Sequence, residues 1–198
     1  MRIVTLFFVF LSFFTQCYNT CEEGEDIATD NGILTDADLA KVPYQSNDTV
    51  KLKHSAGYTI NYNVTRKSYD DYISFDESCA GMIVKSNSVN LEPDYPVFPI
   101  YINISNSDGI NTNYQIVVGR YYFYIPQNID NTVNSEYYKF ADSVTINNKV
   151  YYNVVKTKSF NGTYDSSDLI YCDSLYYNFD AGIIKITMSN NEYYEISE

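Results

Sequence analysis

The chain is expected to fold as an all-β protein, a single antiparallel β-sandwich or partly open β-barrel domain built from hairpins. Three observations predict that class. Apolar and polar residues alternate at period two from about Asp48 onward, which places one face of each strand in a core and the other in water. Asn, Asp and Gly pairs that suit tight hairpin turns recur between the apolar runs. Beyond the N-terminal apolar run, no segment sustains a helical period.

Taken in order, the first β signal is "TVKLKHSAGYTINYNVTRK". Val50 and Leu52 alternate with polar neighbours, Ser55-Ala56-Gly57 turns the chain, and Tyr58, Ile60, Tyr62 and Val64 share one face. "SCAGMIVKS" and "SVNLE" read as two further short strands. "PDYPVFP" follows, and its prolines predict a loop or an edge. "IYINISNSDGINTNYQIVVGRYYFYI" predicts two strands about an Asp108-Gly109 turn, the second running from Ile116 to Ile125. The C-terminal part carries turn pairs at Asn147-Asn148, Asn161-Gly162 and Asn190-Asn191. There Ile184, Ile186 and Met188 alternate with Ile183, Lys185 and Thr187, and Gly182 precedes them.

The N-terminus reads differently. Arg2 is the only charge before the apolar run Ile3–Phe14, which is too short for a membrane-spanning helix of about 20 residues and reads as a signal-peptide core. The expected division is a signal peptide over 1–16, an acidic flexible tether over 17–44 and the β domain over 45–198. Cys17 closes the apolar run, and a cysteine there predicts lipidation of its thiol. The alternative is an ordinary signal peptide cut between Gln16 and Glu22. In the tether, Glu22, Glu23, Glu25, Asp26, Asp30, Asp36 and Asp38 predict a solvated spacer. Thr35 and Asp38 could cap one helical turn that runs to Lys41, with Pro43 ending it.

The 198 residues carry a net charge of -12. That balance argues against nucleic acid as a partner, because binding it needs clustered Lys and Arg. The four cysteines lie at 17, 21, 79 and 172. With Cys17 lipidated, Cys79 and Cys172 are a possible disulfide in an oxidising compartment. The spacing fits no paired zinc pattern, and with a single histidine the chain offers no multi-histidine site; no cofactor or metal is expected.

"FTQC" with the acids behind it, "VPYQSNDTVKLKHSAGYTINYNV", "VTINNKVYYNVVK" and the closing "YYNFDAGIIKITMSNNEYYEIS" together resemble the uncharacterised Bacteroidetes-type surface lipoproteins. The resemblance implies a lipid anchor at Cys17, a place in the cell envelope, outer-membrane attachment in a periplasmic or surface-facing orientation, and no catalytic residue. It also implies that the acids after Cys17 resemble a surface-export signal. Asp48-Thr49-Val50, Asp142-Ser143-Val144 and Asp173-Ser174-Leu175 resemble the short O-glycosylation motif of such bacteria.

Two further readings concern activity. Carboxylates at Asp70, Asp71, Asp76 and Glu77 would be the catalytic acids of a secreted or periplasmic hydrolase if two of them converged across a cleft. Paired tyrosines recur on the expected strands, at Tyr121-Tyr122, Tyr137-Tyr138, Tyr151-Tyr152, Tyr176-Tyr177 and Tyr193-Tyr194. One ring of each pair must face outward. The outward rings would form a platform for a protein or carbohydrate ligand, while the plain alternative is that tyrosine serves only as a strand former and core residue. The function expected is a lipid-anchored envelope protein acting as a binding or structural module. His54, at a turn, is expected on the surface.

Overall fold

The computed structural model describes residues 28–32, 34–74, 81–106, 112–127, 136–160 and 170–197. The strands are β1 (Ala28–Gly32), β2 (Thr49–His54), β3 (Thr59–Ser74), β4 (Gly81–Pro93), β5 (Ile100–Ser105), β6 (Asn113–Val118), β7 (Tyr121–Ile125), β8 (Tyr138–Ile146), β9 (Lys149–Lys158), β10 (Cys172–Asn178), β11 (Gly182–Met188) and β12 (Tyr193–Ser197); one helix, α1 (Asp36–Ala40), precedes β2. Eleven strands form one antiparallel path in the order β7-β6-β5-β4-β3-β2-β12-β11-β10-β9-β8, and β1 joins β4 in parallel. The sheet is all-β and curls until it is nearly closed into a barrel.

Closure comes from the end of β9. Lys158 N–H donates to Tyr137 beside β8, Ser159 N–H to Asp173 on the β10 side, and Phe160 N–H to Tyr122 of β7. Alternate residues of a strand direct their N–H groups to opposite edges. The edge of β9 that β8 has just left is therefore taken up by β7, through the Tyr122–Phe160 bridge.

The interior is filled by alternating side chains from most of the barrel strands. Leu52, Ile60, Tyr62, Leu91, Ile100, Ile102, Ile104, Ile116, Phe123, Leu175, Ile183 and Ile186 are essentially inaccessible to solvent. A second, smaller cluster sits on the outside. The hairpin β8–β9 turns at Asn147 and Asn148, whose φ values of 49° and 63° fit a tight hairpin turn with two left-handed residues. Its tip folds back, because Asn153 at φ 55° bends β9. Ile146, Tyr151 and Val154 thereby cover Ile184 on the outer wall, and the Asn147 amide donates to the Ile196 carbonyl at 2.9 Å.

The end of the expected tether is not a solvated spacer. Thr35 and Asp38 do form a capping box at the start of α1, but the segment then enters one mouth of the barrel. Val42 and Tyr44 join the main core. Tyr177 donates to the Lys41 carbonyl at 2.7 Å, and Ile183 N–H donates to the Tyr44 hydroxyl at 2.6 Å. Arg66 donates to the carbonyls of Leu39, Val42 and Tyr44 and, at 2.8 Å, to Asn87 Oδ1. The guanidinium thus ties the end of α1 and the segment after it to β3, which carries Arg66, and to β4 through Asn87. Acidic composition predicts solvation, but apolar side chains at Leu39, Val42 and Tyr44 decide the placement.

Two strand assignments also change. The described part of "SCAGMIVKS", from Gly81, and "SVNLE" form the single long strand β4, which pairs with β3 from Pro93 to Gly81. The run Ile116–Ile125 is two strands, because Gly119, at φ 61°, adopts the left-handed conformation and turns the chain with Arg120. The turns expected at Asp108-Gly109 and Asn161-Gly162 lie outside the described residues.

Candidate binding face

Strands β3 to β7 expose one broad outer face, and their pairing registers set its composition. One cross-strand row runs Lys67, Ser88, Asn103, Gln115, Tyr124. The next runs Thr65, Asn90, Tyr101, Val117, Tyr122 and meets Phe160 at the seam. The strands hold these residues outward because their neighbours Ile102, Ile104, Ile116 and Phe123 are committed to the core.

Tyr101, Tyr122 and Tyr124 are 39, 43 and 47% exposed. Phe160 packs edge-on against Tyr124 and Tyr137, with ring centroids 5.9 and 5.3 Å apart. Hydrogen bonds fix part of the surface: Gln115 Nε2 donates to the Tyr124 hydroxyl at 3.1 Å, and the Tyr69 hydroxyl donates to Asn103 Oδ1 at 3.3 Å. Lys67 is the single charged residue in the two rows. Glu92, paired with Asn63, stands in the row beyond.

The opposite mouth of the barrel carries a second aromatic group. His54 is buried, in contrast to the surface position expected from its turn. It stacks on Tyr58 at 4.5 Å and meets Tyr194 at 4.7 Å, and Phe98 packs edge-on to Tyr194 at 5.0 Å. Ala56 N–H donates to His54 Nδ1 at 3.1 Å, so this nitrogen is the acceptor and Nε2 is left toward Glu192, 3.8 Å away. The residue closes the mouth and orders the turn. Beside it, Tyr58, Thr59, Ile60, Asp94 and Tyr95 line a shallow hollow of about 480 Å³. Both Asp94 oxygens are engaged, one by Asn61 N–H and the other by the Asn61 amide.

Other sequence-derived candidates separate clearly. Asp70 is paired with Lys85 at 3.3 Å on the exposed ribbon of β3 and β4, and both side chains are more than a third exposed. Asp76 and Glu77 lie outside the described residues, as do Cys17, Cys21 and Cys79. Cys172 is buried with a free thiol at the start of β10; burial, with Asp173 nearby, pushes that thiol well above its ordinary pKa. Among the described residues no cluster of three His, Cys, Asp or Glu side chains forms a metal-binding group. No described helix is long and apolar enough to cross a membrane. Of the three glycosylation-like triplets, Thr49 and Ser143 are exposed. Ser174 is buried and bonded to the Thr187 hydroxyl at 2.6 Å.

The tyrosine pairs divide as strand geometry requires. Tyr121, Tyr151, Tyr177 and Tyr194 are buried, whereas Tyr122 and Tyr152 are exposed. Most of the buried rings serve the core, as the plain reading of the tyrosines anticipates. Among the described residues, Tyr58 and Tyr95 are exposed beside the hollow, and a larger group of outward rings gathers at β5–β7, beside amides that the alternating pattern placed outward but that residue type alone did not single out. No family model matches the chain, and no curated protein or solved structure matches it.

Proposed function

We propose that the protein is a lipid-anchored component of the cell envelope, held in the outer membrane through Cys17, whose barrel is a binding module. The observation that supports the binding role is the outer face of β3–β7. Three exposed tyrosines, amides and hydroxyls are aligned there on strands whose other face is core, so the surface is presented already ordered. The anchoring half rests on the leader and on the cysteine that closes it.

Two measurements test the two halves. Intact-mass analysis of the native membrane fraction should show acyl mass on the wild-type chain, and Cys17→Ala should release the protein to the soluble fraction. A soluble wild-type chain without acyl mass would end the anchoring proposal. A photo-crosslinking amino acid at Tyr122 should capture an envelope component, whereas the same probe at Tyr152, on the folded-back hairpin, should not. Equal capture at both positions, or none at either, would end the binding proposal.

A further inference from the structure

We propose that the outer face of β3–β7 binds an uncharged polysaccharide strand laid across the five strands. The inference rests on the binding role proposed above and names its ligand class.

The charge pattern is the first argument. The chain carries 25 acidic and 13 basic residues, yet the two rows from Lys67 to Tyr124 and from Thr65 to Tyr122 hold no carboxylate and a single lysine at one end. Ionised groups resist desolvation, and amides and hydroxyls do so far less. Two adjoining rows without a carboxylate, in so acidic a chain, are suited to an uncharged partner.

The second argument is group chemistry. A pyranose offers an apolar C–H face and a rim of hydroxyls that both donate and accept. Tyrosine supplies an apolar ring with a polar tip, and Asn and Gln supply a donor and an acceptor on one group. Here Tyr101 lies between Asn90 and Val117, and Tyr124 lies beside Gln115, which itself lies beside Asn103. Rings and amides are therefore interleaved along the rows.

The third argument is shape. Five strands about 4.8 Å apart span about 19 Å from β3 to β7. That is an extended track rather than a pocket, and it suits a chain more than a single sugar. A protein partner fits less well. Protein interfaces concentrate energy in a desolvated apolar centre enriched in aromatics and Arg, whereas Val117 is the only aliphatic residue in these rows and no Arg is present.

The test is affinity electrophoresis of the full chain in native gels. The gels are cast with soluble neutral polymers (glucan, mannan, galactan, xylan) or acidic ones (polyuronate, sulfated galactan). At least one neutral polymer should retard the protein. Substituting Tyr101→Ala, Tyr122→Ala and Tyr124→Ala together should weaken that retardation at least about tenfold, an effect expected of removing hot-spot rings. All three side chains are exposed, so the variant should keep its wild-type melting transition. Tyr152→Ala, at a side chain 67% exposed elsewhere, should bind like wild type.

Retardation by acidic polymers alone, by none, or equally in the triple variant overturns the proposal. The Tyr122 crosslink separates this failure from failure of the binding role. A protein adduct or a crosslinked dimer overturns the sugar assignment and leaves a binding face. Absence of both adduct and retardation overturns both.

Discussion

Removing the Tyr44 hydroxyl isolates one contact that locks residues 36–44, the plug of one barrel mouth, into the barrel. The hydroxyl accepts the Ile183 N–H at 2.6 Å, and both groups are buried. Tyr44→Phe leaves that amide without its partner in a site closed to water, which costs about 1–3 kcal/mol. For a chain of this size that lowers the melting temperature by about 2–12 °C. The same contact explains Gly182. Its φ is 77°, and a Cβ there would collide with the hydroxyl and Cζ of Tyr44. Gly182→Ala combines a left-handed alanine, about 1–2 kcal/mol, with overpacking of about 1–3 kcal/mol. Because part of the collision is with the hydroxyl, Gly182→Ala should cost less in a Tyr44→Phe background than in wild type. Urea melts of the four proteins in this cycle measure the difference as a coupling energy. A Tyr44→Phe protein as stable as wild type, or strictly additive substitutions, would refute the reasoning.

Three further outcomes are expected. Burial opposes ionisation of Asp38, but hydrogen bonds from the hydroxyl and backbone of Thr35, and from Tyr114 and Thr112, outweigh it and hold the carboxyl below its ordinary value of 3.8. Its contribution is present above that value and is lost as pH falls through the lower folded-state pKa, so Asp38→Asn should flatten the acid limb of a stability-against-pH curve below about pH 4. Asn153→Val should destabilise by at least about 1 kcal/mol, since a β-branched residue tolerates the left-handed bend poorly, while Asn153→Gly should be nearly neutral; chemical denaturation compares them. Lys85→Ala should change stability by no more than about 1 kcal/mol, because its partner Asp70 is solvent-exposed.

Much of the architecture was legible in the residues. The alternation in Val50–Leu52 and Ile60–Val64 marked inward positions correctly, and Asn147-Asn148 marked a turn because both residues tolerate positive φ. Barrel closure was not legible, since it depends on where β8 stops along β9, a register that composition does not encode. Ile184 and Ile186 illustrate another limit. Parity puts them on one face, yet they join different clusters because a register irregularity interrupts the β10–β11 pairing near Tyr176-Tyr177. The plug, residues 36–44, reads as tether because Asp36 and Asp38 continue an acidic stretch, although burial follows the few large apolar side chains that fit. In the candidate face the tyrosines were visible from the start. The amides beside them became a surface only when five strands were placed in register.

The plug also bears on when the barrel can become complete. Tyr44 bonds to a residue 139 positions later, and the Lys41 carbonyl to one 136 positions later. β2 likewise takes β12 as its neighbour. Such separations give the fold a high contact order, which slows folding because distant segments must meet before they are rewarded. A chain delivered from its N-terminus carries residues 36–44 out long before Ile183 emerges. The first strands must therefore wait with an open edge and an unfilled mouth, and the last hairpin is the step that closes both.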